Sequence, residues 1–131
     1  MSEELYKDEL GLITRENGYI LIRRTGGVPL NPTLLLSLAE RFRLLIPLRE
    51  RKSNGLLIDM REAPILTDDS FAKEVHSALR SLTVGFARAA FLVRTALGLL
   101  QISRRSRENQ TEVRVFDDEQ KAIAYVQGRN A

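Results

Sequence analysis

Two short apolar runs constrain the fold of this chain more than any other feature of its sequence. They are Gly55–Asp59 and Ala89–Val93. Neither run alternates polar with apolar residues, and this continuous pattern is typical of a strand buried on both faces of a parallel sheet. We therefore expect two buried parallel strands here.

The stretch before the first of these runs predicts a helix, because its apolar residues recur at helical spacing and form one face. Asn31 and Pro32 are typical of a helix start, and Pro47 of a helix end. The segment 48–54 between that helix and the first run is polar and charged, so we expect a connection there. The apolar residues that define the helix face are Leu35, Leu38, Phe42 and Leu45.

A second helix is expected between the two buried runs. It begins at Thr67, Asp68 or Asp69, after a loop that contains Pro64. Its inward face is formed by Phe71, Val75, Ala78, Leu79 and Leu82.

The N-terminal part of the chain predicts an antiparallel hairpin. Tyr6, Leu10 and Leu12 alternate with polar residues and indicate a first strand. Asn17-Gly18 then precedes the strand-like run 19–23, and this dipeptide between two such runs is a strong hairpin signal.

The C-terminal part predicts helix, strand and helix. Leu97 and Leu100 indicate a third helix, and 113–115 a short strand. For the last helix we expect Asp117 as the cap, with Gln120 completing a capping box, and Gly128 as the stop. The whole chain is thus predicted to be one α/β domain, residues 1–131, with a mostly parallel mixed sheet of about five strands and about four helices.

Composition restricts the functional classes. With 131 residues and no cysteine, the chain suits one domain and excludes disulfides and thiolate metal sites. Its acidic start is unlike a signal peptide, and its apolar runs are shorter than the ~20 residues of a membrane-spanning helix, so we expect a cytoplasmic protein. A net charge of +3 with 6% aromatic residues and no tryptophan argues against nucleic-acid binding.

The first candidate site is the loop from Asp59 to Ser70, of which the part from Arg61 to Ser70 is expected to form the docking surface. It leaves the carboxyl end of a central parallel strand, where α/β sheets tend to place ligands. It also leads into a helix start, which favours anions. However, Asp68 and Asp69 already supply negative charge there, so a simply capped helix start is the alternative.

Other chemistry-bearing residues favour structural interpretations. The Asp68–Asp69 pair lacks a third carboxylate for a magnesium site or acid–base work. His76, the only histidine, lies beside the apolar face of the second helix rather than on it. The basic residues are diluted by glutamates and predict a solvated face; they are Arg23, Arg24, Arg49, Arg51, Lys52, Arg104, Arg105 and Arg107. We therefore expect no catalytic residue, no metal and no cofactor.

Three stretches give the chain a resemblance to a known family. They are the strand and loop from Gly55 to Phe71, the strand and helix from Ala90 to Leu100, and the segment Val113–Ala122 with its Phe-Asp and acidic helix start. Together they resemble STAS-type domains, specifically the SpoIIAA-like group named after an anti-sigma factor antagonist. The resemblance covers the chain from about Gly18 onward.

The resemblance implies a domain that works by docking to a protein partner. Regulatory members present a phosphorylatable serine at the helix start after the central strand, within an Asp-Ser-Ser-Gly pattern. Here the matching stretch is Thr67-Asp68-Asp69-Ser70, so that pattern is absent. Two alternatives follow. Either Thr67 or Ser70 is phosphorylated in place of the usual serine, or the aspartates keep the site permanently anionic.

The sequence therefore predicts a non-enzymatic regulatory module that docks through the 61–70 loop and the following helix start. Its expected partner is a regulatory kinase or sigma-regulator type protein, and the site residues are Arg61, Thr67, Asp68, Asp69 and Ser70. The alternative is a carrier of a lipid or another lipophilic ligand, since the group resembles Sec14-type carriers in fold. Self-association is a further expectation, through the hairpin edge strand or through the apolar surface near Phe86 and Phe91.

Overall fold

A computed structural model of the chain describes residues 2–8, 11–24, 32–62, 80–94 and 114–128. Within these ranges lies one six-stranded sheet whose strands follow one another in chain order. The strands are β1 (Glu3–Lys7), β2 (Gly11–Arg15), β3 (Tyr19–Arg24), β4 (Gly55–Asp59), β5 (Arg88–Leu92) and β6 (Arg114–Phe116). The helices with both ends described are α1 (Pro32–Leu45), α2 (Leu48–Arg51) and α3 (Glu119–Val126), and residues 80–83 are also helical.

The sheet confirms the predicted fold class. β1, β2 and β3 pair antiparallel, and β3 to β6 pair parallel. The predicted hairpin turn is present between β2 and β3, where Gly18 has a φ of 84° that glycine adopts without strain. This arrangement places the carboxyl ends of β3, β4 and β5 side by side at one edge.

The sheet has six strands rather than about five, because the expected first strand is two strands. Asp8 turns the chain between them: its backbone N–H donates to the carbonyl of Gly11 at 2.9 Å, and its side-chain Oδ1 accepts from the Gly11 N–H at 3.1 Å. The alternation from Tyr6 to Leu12 therefore spans a turn. A carboxylate that accepts a hydrogen bond from a nearby backbone N–H stabilises such a turn.

The central strands are buried on both faces, as the apolar runs predict. All five residues of β4 are buried. Leu56 and Ile58 pack with α1 residues such as Phe42, whereas Leu57 packs on the opposite face with Val126 of α3. The central part of the sheet thus lies between helices, whereas the edge strand β1 contains no buried residue.

The last helix begins one residue later than expected. Asp118, not Asp117, is its cap, and its Oδ1 accepts from the Lys121 N–H at 3.0 Å. Lys121 therefore occupies the position where a capping box needs glutamate or glutamine, so Gln120 does not complete one. Gly128 follows the helix with a φ of 80°, as predicted for its stop.

The polar segment 48–54 is not simply a solvated connection. It forms α2, and Arg51 at its end is 1% exposed. The Arg51 guanidinium donates to the carbonyls of Ile46, Ser81 and Val84, at 3.0, 2.9 and 2.9 Å. The prediction that Arg51 lies on a solvated face is therefore wrong.

The apolar surface proposed for self-association does not include Phe91, which is buried. Phe86 is half-buried, with its ring centre 5.9 Å from that of Phe42, and the nearby Val84 is exposed, so association through this surface stays a prediction. β1 does lie at one end of the strand order, so the hairpin edge remains a prediction.

Candidate functional site

The site lies at the carboxyl ends of the central parallel strands. Asp59 is the last residue of β4, and the sheet register places it beside Arg23 of β3 and Leu92 of β5. Ligand sites of α/β sheets concentrate at this edge. The chain continues from here into segment 61–70, which the sequence predicts to be the docking loop.

The Asp59 carboxylate is the centre of this edge. Its side chain is 5% exposed and accepts four hydrogen bonds. Oδ1 accepts from the Arg61 backbone N–H at 3.1 Å and from its Nε at 3.0 Å. Oδ2 accepts from Arg61 Nη2 at 2.8 Å and from Arg23 Nε at 3.2 Å.

These contacts keep Asp59 ionised. Burial by itself would raise its pKa, but the hydrogen bonds from Arg61 and the charges of Arg61 and Arg23 outweigh burial and lower the pKa. The same hydrogen bond raises the pKa of the Arg61 guanidinium. A carboxylate held in this way is a structural anion and a poor proton donor near neutral pH.

Arg61 also connects the loop start to the last helix. Its Nη1 lies 3.2 Å from the Glu119 carboxylate at the first turn of α3. The neighbouring residue Glu62 accepts from Arg94, just after β5, at 2.9 Å. The backbone N–H of Met60 donates to the Leu92 carbonyl at 2.8 Å. Residues 60–62 are therefore held from both β5 and α3.

We call the group Arg23, Asp59, Arg61 and Glu119 the Asp59 corner. Among the predicted site residues, Arg61 is the one that the structure describes, and it belongs to this corner. Thr67, Asp68, Asp69 and Ser70 lie outside the described residues, as do His76 and the arginines at 104, 105 and 107. The corner is the base from which that predicted docking loop departs.

Sequence reasoning placed Asp59 in the candidate loop but gave it no role, and it missed the pairing of Arg61 with Asp59 and Glu119. Asp59 was visible as an acidic residue closing an apolar run, which is an unusual place for a charge and a usable signal. The contribution of Arg23 depends on the register between β3 and β4, and that of Glu119 on where α3 packs. Neither relation is local in sequence.

The predicted basic face is divided among several roles. Arg23 pairs with Asp59, Arg24 is buried, and Arg51 is buried beneath α1 and α2. Arg49 and Lys52 are exposed. Arg23 is exposed too despite its pairing, so three of the five described members conform to a solvated face and Arg24 and Arg51 do not.

The described residues hold no cluster of histidine, aspartate and glutamate that could bind a metal ion. No helix in those ranges has the length and hydropathy needed to cross a bilayer.

Comparison with known proteins supports the fold. No family model matches the chain, and no curated protein matches its sequence. A solved structure does match: the crystal structure of an uncharacterised protein of the DUF3478 family with a SpoIIAA-like fold, from Shewanella loihica PV-4. The match has a TM-score of 0.60 and 16% sequence identity, and it covers 96% of this chain and 95% of that one. The similarity that the sequence stretches suggested is therefore present at the level of the fold, and this chain has a SpoIIAA-like fold.

Proposed function

We propose that this chain is a non-enzymatic, regulatory protein-interaction module of the STAS type. It docks through the 61–70 loop and the start of the helix that follows. The observation that carries the proposal is the anchoring of Arg61, the first residue of that loop, by three hydrogen bonds to the buried Asp59 carboxylate.

Anchoring favours docking for an energetic reason. A loop that is ordered before binding loses less conformational freedom when a partner engages it. The Asp59 corner also occupies a rigid part of the fold, because β4 is fully buried and paired on both sides. Contacts built on such elements are held more accurately than contacts on free loops.

The charge state of the corner argues for binding rather than catalysis. The most buried carboxylate at this edge is neutralised by two arginines and has a lowered pKa. An acid–base catalyst that operates near neutral pH requires a pKa shifted in the opposite direction.

Regulation is proposed through Thr67 or Ser70. A phosphate at either position adds negative charge beside Asp68 and Asp69, and this repels an acidic partner surface or recruits an arginine-rich one. Replacing Thr67 or Ser70 by glutamate should change partner capture, whereas alanine at the same position should preserve it. Equal capture by all four variants would exclude this switch.

Charge reversal within the loop tests the docking surface. The full-length chain is immobilised in three forms, and captured proteins are quantified by mass spectrometry. The forms are the wild type, an Asp68→Arg/Asp69→Arg variant, and a Glu4→Arg/Glu40→Arg control that makes the same charge change at two exposed positions away from the loop.

The proposal predicts one set of captured proteins shared by the wild type and the control. The Asp68→Arg/Asp69→Arg variant should lose members of that set. Identical sets for all three forms would exclude the loop as the docking surface. Among the described residues, no observation favours the lipophilic-ligand carrier that the sequence left as an alternative.

A further inference from the structure

A second charged surface lies on the α3 side of the sheet, at the end opposite the Asp59 corner. Arg88 begins β5, Arg114 begins β6, and Tyr125 lies near the end of α3. The guanidinium carbons of Arg88 and Arg114 lie 5.5 and 5.2 Å from the centre of the Tyr125 ring. We call this surface, together with Phe116 and Lys121, the Arg–Tyr patch.

Local geometry explains why these side chains meet. Ala90 pairs with Arg114, and Arg88 precedes Ala90 by two residues, so both arginines project from the same face of the sheet. That face is covered by α3. Lys121 precedes Tyr125 by four residues and therefore lies next to it on the helix surface. Two guanidinium groups therefore lie against one aromatic ring, and Lys121 lies one helical turn away from it.

The positive charge of the two arginines is not compensated within the described part of the chain. Arg88 and Arg114 are exposed, and neither forms an ion pair with a carboxylate among the described residues. Lys121 is also exposed, but the Asp118 carboxylate accepts from its backbone N–H and therefore lies beside it. Arg88 donates only to the Tyr125 carbonyl, at 3.4 Å. Other described arginines of the sheet and its edge do have carboxylate partners: Arg15 with Glu50, Arg23 and Arg61 with Asp59, and Arg94 with Glu62.

The aromatic rings hold the arginines in place. Arg114 lies over Phe116 as well, at 5.7 Å, and the rings of Phe116 and Tyr125 are 5.6 Å apart. Stacking restrains the long side chains, so binding through them costs less side-chain entropy. Stacking also uses the faces of the guanidinium groups and not their edges, so N–H groups other than the Arg88 Nη1 donor to the Tyr125 carbonyl can bind carboxylates.

We propose that the Arg–Tyr patch binds an acidic segment of a protein partner. This contact is additional to the docking proposed for the 61–70 loop at the Asp59 corner. Uncompensated cations give charge complementarity for such a segment, and arginine and tyrosine are the residues that dominate protein–protein contacts. A single-stranded nucleic acid fits less well, because its bases need open aromatic faces and these rings already stack on guanidinium groups.

The experiment uses the full-length chain and an oligoglutamate peptide as the probe. Amide shifts are followed by NMR, and affinities are measured for two charge-matched variants. Arg88→Glu/Arg114→Glu reverses the patch, and Arg49→Glu/Arg80→Glu reverses two exposed arginines elsewhere. A single-stranded oligonucleotide of equal charge is titrated in parallel.

The proposal predicts the largest wild-type shifts at residues 88, 114, 121 and 125. The patch variant should bind the peptide about tenfold more weakly, and the control should change affinity by less than about threefold. Equal weakening by both variants, or shifts that map elsewhere on the wild type, would overturn the proposal. Tighter binding of the oligonucleotide at the same residues would show that the patch binds a nucleic acid and not an acidic protein segment. The wild-type shift map decides the question even if the patch variant fails to fold.

Discussion

The guanidinium carbon of Arg51 lies 5.0 Å from the centre of the Phe42 ring, and the ring of Phe86 lies 5.1 Å from the same carbon. Its described hydrogen-bond acceptors are backbone carbonyls rather than carboxylates. Those carbonyls belong to Ile46 after α1 and to the segment 81–84. Arg51 therefore joins the ends of two helical segments, where a cation also complements the helix dipoles.

Replacing Arg51 by methionine should destabilise the chain by about 2–4 kcal/mol, because one buried and two partly buried carbonyls lose their donor while the volume is nearly retained. The neighbouring Arg49 is exposed on the same short helix, so Arg49→Met should cost less than about 0.5 kcal/mol. Urea unfolding of both variants measures the difference. Equal stability of the two would show that Arg51 contributes nothing beyond a surface arginine.

A second prediction concerns the contact between β4 and α3. A Cβ added at Gly55 would lie 2.0 Å from the carbonyl oxygen of Val126, which is backbone and cannot move aside cheaply. Gly55→Ala should therefore displace α3 and cost about 1–3 kcal/mol.

The matched control is Gly128→Ala, where a Cβ meets no atom within 4 Å and only the φ of 80° is unfavourable. That strain costs about 1 kcal/mol. In thermal unfolding, the melting temperature of Gly55→Ala should be lower than that of Gly128→Ala. The reverse order would contradict the packing of α3 against β4.

The third prediction is a pH dependence that originates at Asp59. Its pKa is lowered in the folded chain, so the unfolded chain binds more protons between the folded value and the unfolded value of about 3.9. The stability contributed by this carboxylate is complete above the unfolded pKa and is lost as the pH falls through the folded one.

Asp59→Asn removes this titration. In unfolding experiments below about pH 4, the free energy of unfolding of the wild type should fall more steeply with acidification than that of the variant. Asp117→Asn is a suitable control, since Asp117 is exposed. Parallel slopes for the wild type and Asp59→Asn would mean that the arginines do not stabilise the ionised carboxylate.

Much of the fold follows from local patterns in the sequence. β4 and β5 were predictable because a continuous apolar run indicates burial on both faces of a sheet, and this signal does not depend on the neighbouring strands. The turn at Gly18 and the end of α3 at Gly128 were predictable because glycine is favoured where φ is positive. Each of these signals is contained within a few residues.

The errors share a different physical origin. Arg51 was assigned to solvent because it stands in a charged segment, yet its partners lie five to more than thirty residues away in the chain. The same applies to Asp59, whose partner Arg23 is 36 residues distant. Pairing across a sheet depends on register, and composition carries no information about register.

The central claim is that a protein partner docks on the segment that departs from the Asp59 corner. Hydrogen exchange of the full-length chain, alone and with a captured partner, tests this most directly. The account predicts slower exchange in the complex for peptides covering residues 59–70. Unchanged exchange across those residues, with protection confined to other parts of the chain, would contradict it.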